Sequence, residues 1–425
     1  MAKKSVFKFH NYMKILYIAY RINAPDGSAI HCREFVRNIR QLGHEIQTFP
    51  PIKENVRTRP INSKKVPKNF FYYLKKINHR IIVYYLQRLI GRESEFLLMI
   101  SGLVDSVLYY YALRSIRNRY MPDIIIYRNQ IFQFAPFWLS KHFKIPILLE
   151  INALRSIEAT IINKQNRVTS ITRWAEHMAI QSADTLFCVS KQMKYCLGNF
   201  RQRSEIYVIP NGVDTNKFDP EKYDKQLMKK KLGLREKTIL GYVGSYKTWH
   251  GVDIAVRTIE MMAKTTKMSY HLLLIGNGEG FDRIKAQIEE KNLTSGVTQI
   301  DSVAHEEIPQ YIACFDYALM SYPDMKSFHG SPLKMFEYMA MGIPVVATAV
   351  GQIKEILRHR ETGILVYPPT PENYVKAILD ADQDPERLRR IGTSARRLIV
   401  EKYSWLKNAE KIIEVCNGLL AERKR

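Results

Sequence analysis

Gly330-Ser-Pro-Leu-Lys-Met-Phe-Glu-Tyr-Met-Ala-Met-Gly-Ile-Pro-Val-Val-Ala347 is the stretch on which both fold and function turn. Ser331 can cap a helix and Pro332 suits its first position, while Gly342 can end it and Ile343 opens an apolar strand. The helix between is apolar almost throughout, as a buried element is, yet it carries Lys334 and Glu337. A helix N-terminus offers unbonded N–H groups and partial positive charge to an anion such as a diphosphate. A carboxylate inside a protein is rare unless it is paired or used. Two readings stay open on this segment alone: a diphosphate site above a hydroxyl-binding Glu337, or a salt bridge between residues three apart on one helix.

Outward from this segment the chain alternates strands and helices. Thr238-Ile-Leu-Gly-Tyr-Val-Gly244 reads as a strand ending in glycine, with a helix over 252–263 behind it. Residues 271–276, 297–300, 317–320 and 345–348 add further strands. The first half has the same rhythm: strands over 14–20, 45–49, 122–127, 145–151, 185–190 and 205–209, with helices over 29–42 and up to about His142. Strands that are apolar throughout and alternate with helices predict parallel sheets covered on both faces. A break at Pro210-Asn-Gly212, then a charged run over 222–231 that is expected to be exposed, separates the halves. The expected architecture is two doubly wound α/β domains in tandem with a cleft between them. Ligands bind such sheets beyond the C-terminal strand ends, so the turns after Tyr20, Val243, Ile275 and Met320 are the expected site.

A length of 425 residues with 46% hydrophobic content fits two or three well-cored domains. Cys32, Cys188, Cys196, Cys314 and Cys416 are scattered and form no C-x-x-C pair. That argues against a disulfide framework or zinc site and for a reducing compartment. The first residues lack the apolar core and cleavage site of a signal peptide, so a cytosolic protein is expected. The net charge of +24 is uneven: residues 1–210 hold 33 Lys/Arg against 13 Asp/Glu, or +20, leaving +4 for the rest. One half therefore faces an anionic partner, with nucleic acid and an anionic membrane surface as the candidates. Residues 66–120 are rich in Tyr, Phe, Lys and Arg, and 96–113 is apolar and about long enough to cross a bilayer. Asp105 in its middle weighs against a span, leaving a helix packed on the sheet or lying in a membrane interface.

Several short motifs recur in a fixed order. They are Gly27-Ser-Ala-Ile-His31 with Gly43-His-Glu45, Pro122-Asp123, Val208-Ile-Pro-Asn-Gly-Val-Asp214, Gly241-Tyr-Val-Gly244 and Ile275-Gly-Asn-Gly-Glu279. The segment quoted first, Thr362-Gly-Ile-Leu-Val366 and Tyr403-Ser-Trp405 complete the series. Together they resemble the retaining glycosyltransferases of family 4, whose GT-B fold has two facing Rossmann-like domains. The resemblance spans nearly the whole chain except residues 50–120. It implies an acceptor-binding domain over 1–207, with 66–120 as an insertion, and a nucleotide-sugar domain over 208–400. A terminal helix over 401–425 would pack back towards the first domain.

The resemblance also implies roles. Glu337 would bind the donor ribose, and the loop Gly330, Ser331, Pro332 and Leu333 would hold the diphosphate. His329 stands where the family has a second Glu contacting the sugar. Gly244, Ser245 and Gly276 would line the donor site, with Ser245 where an Arg is common and His250 where a Lys is common. Lys247 or Lys334 would then supply the fixed charge, although Lys247 also reads as a solvated loop lysine. Gly27 and Ser28 would approach phosphate or acceptor, or form an ordinary turn. Arg128 is the candidate for contacting donor or acceptor, Glu150 and Asn152 would line the same cleft, and His31 packs in the first helix.

The reaction implied is sugar transfer from a UDP- or GDP-linked donor to a hydroxyl acceptor with retained configuration, using no metal and no cofactor. A lipid-linked or saccharide acceptor at the inner face of an anionic membrane fits the basic first half, in polysaccharide, lipopolysaccharide or glycolipid assembly. Two other classes stay open: a nucleotide-sugar epimerase on the same fold, and a nucleic-acid-binding protein, which only the charge suggests.

Overall fold

The computed structural model describes residues 12–24, 26–53, 95–161, 170–266, 269–325 and 328–423. The part of the basic, aromatic insertion over 66–94 lies outside the described residues. The chain divides into two compact units, one running to Ile209 and resuming at Ala409, the other Pro210–Asn408.

In the first unit, β1 (Lys14–Ile18), β2 (Glu45–Phe49), β3 (Ile124–Arg128), β4 (Ile147–Ile151), β5 (Thr185–Cys188) and β6 (Ile206–Val208) form one parallel sheet. Their order is β2-β1-β3-β4-β5-β6, so the winding reverses between β1 and β3. β4 is buried at every position, which is why it reads as an apolar run rather than an alternating one. The last helix, Trp405–Glu422, sets Ala409, Ile412, Ile413, Cys416 and Leu419 into the core that holds Tyr17 and Ile126.

The helix Glu95–Tyr120 is long and apolar enough to cross a bilayer, yet its polar edge is the one that packs on protein. Gly102, Asp105, Ser106 and Leu113 are buried, whereas Phe96, Ile100, Val104, Val107 and Tyr111 are exposed. Ser106 Oγ donates to the Gly102 carbonyl at 2.7 Å and accepts from the Phe134 N–H at 2.9 Å. A β-carbon on Gly102 would lie 2.4 Å from that of Phe132, so only glycine permits this approach.

In the second unit, β7 (Thr238–Val243), β8 (Tyr270–Ile275), β9 (Val297–Ile300), β10 (Tyr317–Met320), β11 (Val345–Thr348) and β12 (Ile364–Val366) form another parallel sheet. The order β12-β11-β10-β7-β8-β9 is the Rossmann order, reversing between β7 and β10. Two apolar clusters cover its faces, one around Phe315, Phe336 and Tyr338, the other around Tyr242, Leu272 and Tyr374. The run over 222–231 is exposed along most of its length, as expected, with two buried positions. It contains the helix Lys225–Lys231, capped by Asp224, with Met228 and Lys229 buried. Lys229 tolerates burial because its Nζ lies 2.7 Å from Asp316 Oδ2 and 2.8 Å from the Lys237 carbonyl.

Candidate functional site

The reversal between β7 and β10 leaves a gap above the sheet where neighbouring crossovers diverge, and such gaps hold ligands in doubly wound folds. Here the gap is bordered by the turn Gly244–Ser245–Tyr246 after β7, by Ser321 and Tyr322 after β10, and by the helix Leu333–Ala340. Two contacts fix that helix. Tyr338 Oη accepts from the Val243 N–H at 2.6 Å, tying it to the end of β7. Asn211 donates from its backbone to Ser331 Oγ at 2.9 Å and from its side chain to the Ser331 carbonyl at 2.6 Å.

This corrects the capping expected of Ser331. The helix starts at Leu333, its N-cap is Pro332, and no side chain caps it. The hydroxyl of Ser331 serves Asn211 instead, so no side chain takes the N–H groups of Leu333 and Lys334, while Met335 donates to the Pro332 carbonyl at 3.1 Å. Gly342, at φ +67°, ends the element as expected.

Lys334 and Glu337 do not pair with each other. Lys334 is buried, and its Nζ has no hydrogen-bond partner among the described residues. The ammonium lies 3.9 Å from the centre of the Tyr242 ring and 5.8 Å from that of Tyr322. A β-carbon on Gly244 would sit 2.8 Å from it, so the turn backbone passes directly beside the charge. Burial pushes the Lys334 ammonium down to about 7, against a smaller opposing pull from Glu337. A buried cation without a counter-ion, held at a sheet's reversal beside a free helix N-terminus, is an anion site on chemical grounds.

Glu337 is engaged from the other side. Lys217 Nζ lies 2.8 Å from His305 Nδ1, and an ammonium only donates, so His305 carries its proton on Nε2. That nitrogen lies 2.8 Å from Glu337 Oε1, leaving Oε2 without a partner among the described residues. One carboxylate oxygen is thus held in place and the other can accept from a hydroxyl. His305 and Lys217 escaped the sequence reading. The one available signal was that His305 follows β9, in the same zone of strand ends as the other turns.

His250 takes a role different from a fixed charge. Its Nδ1 donates to the Ser245 carbonyl at 2.7 Å, with Ser245 Oγ at 3.3 Å. Burial pushes the imidazole down to about 3, helped by Lys334 and Lys247, so the ring is neutral and its other nitrogen is an acceptor. Lys247 is exposed, with its Nζ 4.9 Å from the Trp249 ring centre. His329 is buried. Gly276 answers to packing, because a β-carbon there would fall 2.1 Å from the Gly244 carbonyl.

The first unit gathers Arg128, Glu150, Asn152 and His31 at its own reversal. Glu150 is fully buried, accepting from Tyr17 Oη at 3.0 Å and from Asn152 and Arg128, with His31 Nε2 at 2.9 Å. Burial pushes its carboxyl up, but Arg128 and His31 together outweigh that and hold it well below the usual range. Glu150 therefore does not line an open surface, as was expected of it. It orients Arg128, whose side chain keeps 15% exposure, and Asn152. His31 is part of this network rather than of ordinary apolar packing. At Gly27 and Ser28 the helix Gly27–Gln41 begins, and Asp26 already accepts from the Ser28 N–H at 3.0 Å. A carboxylate at that N-terminus occupies the place expected for phosphate, and Arg21 neutralises it.

Known proteins share this fold. The family model described as Glycosyl transferases group 1 matches residues 224–398, and that described as Glycosyltransferase Family 4 matches residues 25–217. Sucrose-phosphate synthase from Thermosynechococcus elongatus superposes with a TM-score of 0.71 at 18% identity, covering 96% of this chain and 100% of that one. HepE from Anabaena, solved with UDP-glucose, gives 0.66 at 17% identity over 96% and 100%. The family models and the fold together thus define a GT-B glycosyltransferase. The chain belongs to the group 1, family 4 type of these enzymes.

Among characterised relatives, the chain is 21% identical over 252 residues to a GDP-mannose-dependent phosphatidylinositol monomannoside mannosyltransferase of Mycolicibacterium smegmatis. That match covers 58% of this chain and 66% of the relative. It is 27% identical over 218 residues to a D-inositol 3-phosphate glycosyltransferase of Rhodococcus jostii, covering 50% and 47%. These alignments span about half to two thirds of the relatives' length.

Proposed function

We propose that this protein transfers a sugar, with retained anomeric configuration, from a UDP- or GDP-linked donor to a hydroxyl of a lipid-linked or saccharide acceptor. The observation that carries this reading is Lys334, a buried ammonium without a counter-ion beside the Gly244 turn and the uncapped helix start. Its charge and the free N–H groups stabilise the departing diphosphate, the largest charge to develop in such a transfer. Glu337, steadied by His305, receives the ribose hydroxyls. Neutral His250 offers its other ring nitrogen to the donor as a hydrogen-bond acceptor rather than as a charge, and Ser245 and His329 are the residues assigned to the sugar. In the first unit, Arg128 and Asn152, oriented by Glu150, meet the acceptor side. The acceptor proton passes to the leaving phosphate oxygen, so neither a metal nor an organic cofactor takes part.

Support for the donor comes from relatives and neighbours: HepE is solved with UDP-glucose, and the mycobacterial relative is GDP-mannose-dependent. Support for a lipid-linked acceptor is the first unit's basic balance together with that relative's phosphatidylinositol substrate. The setting is the cytoplasmic face of a membrane, in glycolipid, lipopolysaccharide or polysaccharide assembly. The test is a panel of UDP- and GDP-sugars incubated with lipid and saccharide acceptors, with products read by NMR. An acceptor-linked sugar with the donor's anomeric configuration is expected. An inverted product, or free nucleotide with an epimerised sugar and no acceptor product, overturns the reading.

A further inference from the structure

A groove of about 360 Å³ lies on the second unit between the loop over 358–362 and one face of the helix Pro385–Lys402. The loop enters β12, the outermost strand, at its N-terminal end, whereas Gly244 and Tyr322 follow the C-terminal ends of β7 and β10. The groove is therefore separate from the site around Lys334. Arg358, Arg360, Arg387, Arg390, Arg397 and Lys402 line it, against two acids, Glu361 and Glu401. That surplus of four equals the whole +4 of residues 211–425, so the charge excess of this half is gathered in one place.

Internal pairing does not account for these cations. Arg358 and Arg387 stand 3.6 and 3.8 Å from Glu361 and Asp384, too far for hydrogen bonds. Arg360, Arg390, Arg397 and Lys402 form no ion pair among the described residues. Helix stability does not explain them either: Arg387 lies in the first turn, where the helix dipole disfavours a cation, and Arg390 follows one turn later on the same face. The loop is held in shape by Arg358 N–H on Thr362 Oγ1 at 2.9 Å and Arg360 N–H on the Gly363 carbonyl at 2.8 Å. Arg360 takes φ +63° there, a conformation glycine would adopt at less cost, so its side chain is the reason for it. A second hollow of about 230 Å³ continues along β12 and shares Arg360, Arg387 and Ile391 with the groove. His359, in its lining, is pushed below its ordinary value by burial and by Arg360 and Arg387. Positive charge gathered in a concavity of this size suits a compact anion better than a flat bilayer or a long polyanion.

We propose that this groove binds a small ligand carrying two or more phosphate groups, held by Arg360, Arg390 and Arg397, at a site distinct from that of the nucleotide-sugar. Guanidinium forks match phosphate oxygens two at a time, and bound phosphate relieves the repulsion among the arginines. The inference stands on the second unit alone and does not depend on the transferase reading.

The test is calorimetric titration of inorganic tripolyphosphate into the full chain, as wild type and as Lys334→Met, which lacks the buried cation of the donor site. Saturable binding of one tripolyphosphate per chain is expected to survive in Lys334→Met. Arg390→Gln/Arg397→Gln, at exposed positions, should weaken that binding by about 10- to 100-fold in either background. Arg389→Gln should leave it unchanged, since Arg389 lies on the same helix but pairs with Glu386 at 3.3 Å and does not line the groove. Binding that vanishes in Lys334→Met, that persists in Arg390→Gln/Arg397→Gln, or that Arg389→Gln weakens equally would overturn the proposal. So would capture of long-chain polyphosphate, duplex DNA or phosphatidylglycerol vesicles through Arg390 and Arg397 with no binding of tripolyphosphate.

Discussion

Lys334 keeps an ammonium where burial costs most, and this exposes it to a direct test by pH. Its value of about 7 in the free protein means that it is half neutral near neutrality and largely neutral at pH 8. A bound diphosphate favours the charged form, so above pH 7 the protein must take up a proton to bind. Nucleotide-sugar affinity should therefore fall as pH rises through 7, by up to about tenfold per unit. Calorimetry at pH 8 in buffers of different ionisation enthalpy should show uptake of about one proton in the wild type and none in Lys334→Met. Glu337→Gln should weaken nucleotide-sugar binding by roughly tenfold, corresponding to a charge-assisted hydrogen bond. His305→Ala should weaken it less, because it acts only through the carboxylate. Lys334 and Glu337 were legible in the sequence because charged residues inside an apolar helix stand out. His305 and Lys217 were not, since each is a lone polar residue in a loop and distant chain segments bring them together.

Elements hold these residues in place, and two contacts show how tightly. Gly251 lies between the turn Thr248–His250 and the helix Val252–Thr265, at φ +66°, and a β-carbon there would fall 1.6 Å from the Ser321 carbonyl. Gly251→Ala should cost about 3 kcal/mol and lower the thermal midpoint by several degrees. In the first unit, Glu150→Ala leaves Arg128 and His31 buried without their counter-charge, and should cost about 3–5 kcal/mol in urea unfolding. The Glu150 carboxyl is depressed on folding, so its stabilisation is fully present above the ordinary carboxylate range. It is lost as pH falls below that range towards the folded value, and Glu150→Gln should flatten the acid side of the stability profile. At this scale the sequence misleads where a competitor is remote. Ser331 has every local mark of a cap, and only the fold brings Asn211 to take its hydroxyl. β12 is three residues long, too short for any period to reveal.

Across the whole molecule, the repeated strand–helix rhythm was readable because parallel strands buried on both faces are apolar throughout. Strand order was not, since no local pattern records which strand lies beside which. That order creates the reversal between β7 and β10, where Gly244, Tyr322 and the helix start converge on Lys334. The inverted helix Glu95–Tyr120 was also only half readable: composition showed a long apolar segment with a central acid, and packing decided which edge faces protein. The central claim is that the second unit binds a nucleoside diphosphate-sugar through Lys334. It is tested most directly by calorimetric titration of UDP-glucose and GDP-mannose into the wild type and Lys334→Met at pH 6.5. Saturable binding of at least one by the wild type, weakened about 10- to 100-fold in the variant, is the predicted result. Equal affinity in both proteins, with Lys334→Met folded, would contradict it.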